Sequence, residues 1–126
     1  MPPKRVKISC EFVLRASPAI VYQFIAEPDC LIRWFADDCN ILDDVYYFEW
    51  NGAQEAALII DDFEEELLKL QWEDYDDEYL QFAIYRSEVT NSTILEITCF
   101  CDKGEEQEET RFWETKIQDL KRAMGE

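Results

Sequence analysis

The chain has 126 residues, of which 48 % are apolar, and this size and composition predict a single domain over residues 1–126. Its 29 acidic and 12 basic residues give a net charge of −17, which argues against nucleic acid and anionic lipid as partners. The chain has no histidine, which excludes Ser-His and Cys-His catalysis and imidazole metal sites, and no apolar run reaches the roughly 18 residues of a membrane span.

The first predicted strand covers residues 6–14, where apolar and polar side chains alternate. Ser17-Pro18 then supplies a capping hydroxyl followed by proline, which predicts a short helix from there to about Ala26. A second short helix is predicted over residues 30–35. It would carry Leu31, Trp34 and Phe35.

The middle of the chain predicts four further strands with one apolar face each. The first of them ends at Asn51-Gly52, a dipeptide that favours the type I′ turn of a tight hairpin. Alternation then assigns the inward side chains strand by strand: Tyr46, Phe48 and Trp50; Ala56, Leu58 and Ile60; Leu68, Leu70 and Trp72; Leu80, Phe82 and Ile84.

A last strand carries Leu95, Ile97 and Cys99 inward, and residues 106–124 then predict a long amphipathic helix. Its apolar stripe contains Trp113, Ile117 and Leu120. Because this helix is the only long element able to cover the sheet, the predicted class is α+β, with a curved six-stranded antiparallel sheet around the C-terminal helix. The two short helices follow the first strand.

The five cysteines, at positions 10, 30, 39, 99 and 101, are an odd number without disulfide-framework spacing. No secretory leader opens the sequence, so we expect reduced thiols and a cytoplasmic location. Cys99 and Cys101 share a strand face, but without histidines or a second pair they are better interpreted as small buried hydrophobic residues. We therefore predict no metal site and no cofactor.

The order of elements resembles the START-like proteins of the helix-grip (SRPBCC) superfamily. The residues that carry this resemblance are the Ser17-Pro18 helix start, the Trp-Phe-Ala-Asp-Asp run that begins at Trp34, and the closing helix with Phe112-Trp113-Glu114. Within that superfamily, the sequence resembles small uncharacterised bacterial members and the activator of the ninety-kilodalton heat-shock protein's ATPase. The resemblance implies an apolar pocket between sheet and helix, which different members use for lipids, sterols or polyketides.

The predicted function is binding of a small hydrophobic ligand or lipid, without catalysis. Trp34 and Phe35 are expected at the pocket mouth. The full predicted lining is Trp34, Phe35, Phe48, Trp50, Leu58, Leu70, Trp72, Phe82, Ile84, Ile97, Trp113, Ile117 and Leu120. From the residues alone, a completely filled core is as good an interpretation of these aromatics as an open cavity.

Two alternatives remain open. One is a protein-interaction module similar to the chaperone activator, with a closed core and an acidic partner-binding surface. The other is a polyketide-cyclase-like enzyme, which needs an inward polar group, whereas almost every carboxylate is expected in a turn or on an outward position. The outer sheet face could also serve a homodimer or a protein partner, since its predicted residues are Tyr47, Ile59, Leu67, Tyr85, Ile94 and Phe100.

Overall fold

The computed structural model describes residues 3–126 and confirms the α+β class, with an antiparallel sheet curved around the C-terminal helix. In chain order the elements are β1 (Arg5–Leu14), α1 (Pro18–Ala26), α2 (Pro28–Leu31), β2 (Asp38–Leu42), β3 (Val45–Trp50), β4 (Ala53–Phe63), β5 (Leu67–Trp72), β6 (Tyr79–Arg86), β7 (Thr93–Asp102) and α3 (Glu106–Ala123).

The sheet order is β1-β7-β6-β5-β4-β3-β2, and every neighbouring pair is antiparallel. Strands β2 to β7 therefore form a continuous meander, while α1 and α2 connect β1 to the far edge of the sheet. The inward faces of the strands and the apolar stripe of α3 enclose one core. This arrangement leaves the interior between the sheet and α3 as the natural place for a cavity.

The sheet has seven strands, one more than predicted, and the strand that the prediction missed is β2. Its sequence, Asp-Cys-Asn-Ile-Leu, lacks a clear apolar alternation, and only Cys39 is buried. The strand forms as an edge because Asp43 and Asp44, with φ of 52° and 64°, make a two-residue hairpin that pairs Leu42 with Val45. Aspartate is among the residues that tolerate this left-handed conformation.

The first short helix starts as predicted, because Ser17 Oγ accepts a hydrogen bond from the backbone N–H of Ile20 at 3.3 Å. The bounds predicted for the second helix are wrong. It begins at Pro28 rather than Cys30, since proline suits the first helical position, where no backbone donor is needed. After Leu31 the chain continues as turns, and the N–H of Phe35 donates to Leu31 O at 2.8 Å.

The Asn51-Gly52 turn forms as predicted, with φ of 50° and 83°. It pairs Trp50 with Ala53, so that Phe48 lies opposite Glu55 and Tyr46 opposite Ala57. Residues directly opposite one another in an antiparallel pair share a sheet face. The inward positions of β4 up to Ile59 therefore have odd numbers.

This register corrects the predicted faces of β4. Ala57 is completely buried, and Ile59 packs against the core although it was predicted to face outward. Leu58 and Ile60, which were predicted to face inward, are 46 % and 40 % exposed. The prediction chose the more hydrophobic set of alternate residues, whereas the turn places the smaller Ala57 against Tyr46.

The C-terminal helix α3 matches its predicted bounds within one residue. It ends in a Schellman motif in which Gly125, with φ of 85°, donates to Arg122 O at 3.1 Å and Glu126 donates to Lys121 O at 2.8 Å. Ile117 and Leu120, in its C-terminal half, are almost fully buried. That half of α3 closes the core.

Candidate functional site

A cavity of about 490 Å³ lies between the sheet and the N-terminal half of α3, and it opens to solvent. This volume is within the range typical of small-molecule pockets. The side chains that line it come from both sheet and helix: Arg5, Phe35, Trp50, Asn51, Glu55, Trp72, Tyr75, Glu78, Leu80, Cys99, Phe100, Glu109, Phe112 and Trp113.

One wall of the cavity is aromatic. The ring of Phe35 lies 5.7 Å from that of Trp113 in a stacked arrangement and 5.2 Å from that of Trp50 in an edge-on arrangement. The Trp50 indole N–H donates to Phe35 O at 2.7 Å, and that of Trp113 donates to Cys99 Sγ at 3.2 Å. Because these two donors are satisfied within the protein, the partly buried indole of Trp50 can offer apolar ring surface to a ligand, while Trp113 is only 3 % exposed.

The mouth of the cavity carries a paired arginine. Arg5 donates from Nε and Nη2 to the two carboxylate oxygens of Glu78, at 3.0 and 2.8 Å, and from Nη1 to Asp102 at 2.9 Å. Its guanidinium also lies 5.3 Å from the centre of the Tyr75 ring. The hydrogen bonds that Arg5 donates to Glu78 and, to a lesser extent, to Asp102 raise the pKa of Arg5. Arg5 is thus a permanent cation whose charge is already matched.

A half-buried carboxyl group, that of Glu109 on α3, also lines the cavity. Burial raises its pKa, and the charge of Glu105 acts in the same direction, while that of Arg5 opposes the shift. The Cys99 thiol is 4.0 Å from Glu109 Oε1, and burial raises the pKa of Cys99 to about 12. The thiol is therefore a protonated neighbour of the carboxyl group at neutral pH.

Four of the predicted pocket residues line this cavity: Phe35, Trp50, Trp72 and Trp113. Eight others pack in the closed core instead: Trp34, Phe48, Leu70, Phe82, Ile84, Ile97, Ile117 and Leu120. Trp34, expected at the mouth, donates its indole N–H to Phe24 O at 2.8 Å inside the core. Leu58 lies on the convex face because of the β4 register, so its assignment to the inward wall is wrong.

The predicted pocket lining contained no carboxylate, whereas three carboxylates line the cavity, those of Glu55, Glu78 and Glu109. The inward position of Glu55 follows from the hairpin register, since Glu55 lies opposite the inward Phe48. Glu109 is one helical turn before Trp113, and Glu78 is two residues before the inward Leu80. Each of these positions could have been found from the predicted elements.

Two further findings concern membrane spans and metal sites. No helix within residues 3–126 combines the length and the apolar character that a membrane crossing requires. In the same part of the chain, His, Cys, Asp and Glu side chains form no group of three or more that could hold a metal ion.

Comparisons with known proteins agree with this architecture. A model of the START-like superfamily domain matches residues 2–126, whereas no curated protein matches the chain. The solved structure of BfR322 from Bacteroides fragilis is 26 % identical, with a TM-score of 0.68, over 98 % of this chain and 93 % of that one.

Two further solved structures share the fold at lower identity. The Aha1 dimer from Colwellia psychrerythraea is 19 % identical, with a TM-score of 0.78, over 94 % of this chain and 95 % of that one. CalU16 from Micromonospora echinospora is 18 % identical, with a TM-score of 0.69, over 96 % of this chain and 74 % of that one.

A curved antiparallel sheet around a C-terminal helix, with a cavity between the two, defines the helix-grip class of proteins. Together with the match of the family model over residues 2–126, it shows that the chain belongs to the START-like superfamily.

Proposed function

We propose that this protein binds a small, largely apolar ligand in the cavity between the sheet and α3. The observation that carries the proposal is an open cavity of about 490 Å³ whose aromatic wall is formed by Phe35, Trp50, Trp72 and Trp113. Such a wall stabilises a ligand through removal of apolar surface from water. The family relationship supports a binding role but assigns no reaction.

The expected affinity follows from the contact area. A two-ring ligand that buries about 300 Å² of apolar surface gains roughly 7 kcal/mol at 25 cal/mol per Å². The loss of translational and rotational freedom on association reduces this value. Dissociation constants in the micromolar range or weaker are therefore expected for a probe that makes no specific polar contact.

The experiment is a fluorescence titration with N-phenyl-1-naphthylamine, an uncharged dye whose emission rises in apolar surroundings. We expect saturable binding to the wild-type chain and about tenfold weaker binding to Trp50→Ala, a change of about 1.4 kcal/mol or about 56 Å² of lost apolar contact. Phe63→Ala is the matched control, because Phe63 is 55 % exposed and lies outside the cavity. Its affinity should equal that of wild type.

The proposal is overturned if the wild-type chain shows no saturable signal up to the solubility limit of the dye. Equal affinities of the Trp50 and Phe63 variants would place the binding elsewhere. Circular dichroism of each variant checks that the fold is retained.

One observation favours catalysis as a second candidate function. Glu109 is a half-buried carboxyl group with a raised pKa inside an open cavity, which is the environment of a general acid or base. The binding proposal expects that a ligand co-purified with the protein is released with its mass unchanged after prolonged incubation. Time-dependent conversion that Glu109→Gln abolishes would support an enzyme instead.

The convex sheet face offers a further candidate, a protein-binding surface. Leu58 and Ile60 are exposed there, and a cleft lined by Val45, Tyr47 and Leu58 lies beside them. The similar Aha1 structure is that of a dimer. Sedimentation equilibrium tests self-association through this face: a dimer that Leu58→Asp dissociates would support it, and a monomer at all concentrations would exclude a homodimer.

We also propose a reducing, cytoplasmic location. All five cysteines are free thiols, and Cys30, Cys39, Cys99 and Cys101 are buried. Thiols of this kind persist in a reducing compartment. Subcellular fractionation of the source cells tests the location, and recovery of the protein in a secreted fraction would contradict it.

A further inference from the structure

We propose that the cavity selects a ligand whose apolar or aromatic body carries a positively charged, amine-type group. This inference rests on the proposed binding function and names the class of ligand for the same site. It comes from the balance of charges around the cavity and from the aromatic rings beside them.

The charged groups that line the cavity are unbalanced. Three carboxylates, those of Glu55, Glu78 and Glu109, meet a single cation, Arg5. Arg5 is already engaged by both oxygens of Glu78 and by Asp102. None of the ion pairs among residues 3–126 involves Glu55 or Glu109. The cavity therefore has carboxylates to offer a cation and no free cation to offer an anion.

The two unpaired carboxylates belong to different elements. Glu109 projects from α3, where its Oε1 accepts only a weak hydrogen bond from the Cys99 thiol at 4.0 Å. Glu55 belongs to β4, beside the Asn51-Gly52 hairpin, on the same sheet face as Phe48. A ligand in the cavity therefore lies between helix and sheet carboxylates. Glu109 is half-buried, and its partial removal from water strengthens its attraction for a cation relative to an exposed carboxylate such as that of Glu55.

The aromatic rings favour the same charge. Trp50, Trp72 and Trp113 line the cavity, and the face of an indole ring attracts a cation through its quadrupole. The mouth already contains one such contact, since the guanidinium of Arg5 lies 5.3 Å from the Tyr75 ring centre. An anionic head group would gain neither interaction, and it would also approach a protein of net charge −17.

The test compares three probes that share a naphthalene body and carry a positive, neutral or negative polar group: 1-naphthylmethylamine, 1-naphthylmethanol and 1-naphthoate. Isothermal titration calorimetry at neutral pH measures the three affinities, and about 0.15 M salt in the buffer screens the long-range electrostatic field of the protein. We expect the amine to bind about tenfold more tightly than the alcohol, and the carboxylate to bind more weakly than the alcohol. A tenfold ratio corresponds to about 1.4 kcal/mol.

Two variants locate the source of that preference. In Glu109→Gln the ratio of amine to alcohol affinity should fall from about ten to between one and three. Glu114→Gln is the matched control, because it removes the same charge from an exposed position of α3 that does not line the cavity. Its ratio should stay near ten. Glu55→Gln, at a more exposed position, provides a second variant if Glu109→Gln fails to fold.

The outcomes separate the two proposals. Equal binding of amine, alcohol and carboxylate would overturn the cation preference while leaving apolar ligand binding intact. The same conclusion follows if the amine keeps its advantage in both the Glu109 and the Glu55 variants, since the preference would then come from the general surface charge. If none of the probes binds, the proposed function fails and this inference fails with it.

Discussion

Replacement of Phe35 by alanine should remove a large part of the stability of the fold. Phe35 is only 3 % exposed, and its ring lies within 6.3 Å of five other aromatic rings: those of Trp34, Phe48, Trp50, Phe82 and Trp113. It therefore belongs both to the core and to the inner wall of the cavity. Truncation of a buried phenylalanine costs about 3–5 kcal/mol, out of a typical total of about 5–15 kcal/mol.

The same loss can be expressed as a melting temperature. An unfolding entropy of about 2.1 cal/mol/K per residue gives about 0.26 kcal/mol/K for this chain, so a loss of about 4 kcal/mol lowers Tm by roughly 15 °C. Urea unfolding followed by tryptophan fluorescence measures the free energy, and calorimetry measures Tm. Phe112→Ala is the control, because Phe112 also lines the cavity but is 40 % exposed.

The control should lose less than about 1 kcal/mol, since Phe112 is far more exposed than Phe35. If Phe35→Ala loses no more than Phe112→Ala, then Phe35 is not packed among these rings. The described inner wall would then be incorrect.

Three further predictions concern the strand register, the cavity carboxyl group and its neighbouring thiol. Ala57→Asp should lower the free energy of unfolding by about 3–5 kcal/mol because it buries an unpaired charge, whereas Leu58→Asp should lower it by less than about 1 kcal/mol. Equal losses of the two variants in urea unfolding would refute the register of β4. The pKa of Glu109 is raised in the folded state, so ionisation of its carboxyl group lowers the stability of the protein as pH rises through that pKa. Glu109→Gln should therefore raise Tm near neutral pH but not below about pH 4. A difference in Tm between variant and wild type that stays the same across this pH range would contradict the prediction. Cys99, with a pKa of about 12, should react with maleimide at about pH 8 only after the protein is unfolded. If peptide mapping shows that Cys99 is labelled in the native protein as fast as in the denatured protein, then Cys99 is not buried.

The fold was predictable wherever side-chain periodicity and turn chemistry were both strong. Ser17 as a helix cap, the Asn51-Gly52 hairpin and the Gly125 stop each specify a backbone conformation through a local physical cause. Strand β2 was missed because it is short, lacks a clear apolar alternation and forms by pairing with β3. Pairing of that kind is a tertiary effect that local propensity does not encode.

The β4 strand shows two local signals in conflict. Its hydrophobic pattern favoured Leu58 as an inward residue, whereas the two-residue turn before it places Ala57 inward, opposite Tyr46. The turn decides because it fixes which residues are paired, and a small alanine is sufficient where a large aromatic ring fills the space. A register shift between Ile59 and Asp61 then changes the alternation further along the strand.

The cavity could be predicted only in part. The aromatic residues predicted for the pocket include four that line it, but they also include Trp34 and Phe82, which are buried in the core. Whether a space remains depends on how α3 lies over the sheet, which periodicity does not specify. The carboxylates were hidden because acidic residues are usually solvated, although the spacing of Glu109 from Trp113 places both on one helix face.

The most direct test of the central claim is a two-dimensional ¹H–¹⁵N spectrum in which the indole N–H signals of the four tryptophans are followed during titration with N-phenyl-1-naphthylamine. Trp50, Trp72 and Trp113 line the cavity, whereas Trp34 is buried in the core and does not line it. Ligand binding in the cavity predicts saturable shifts of the first three signals and little change at Trp34. If none of these signals moves at the solubility limit of the dye, or if Trp34 moves as much as the others, the cavity is not the binding site.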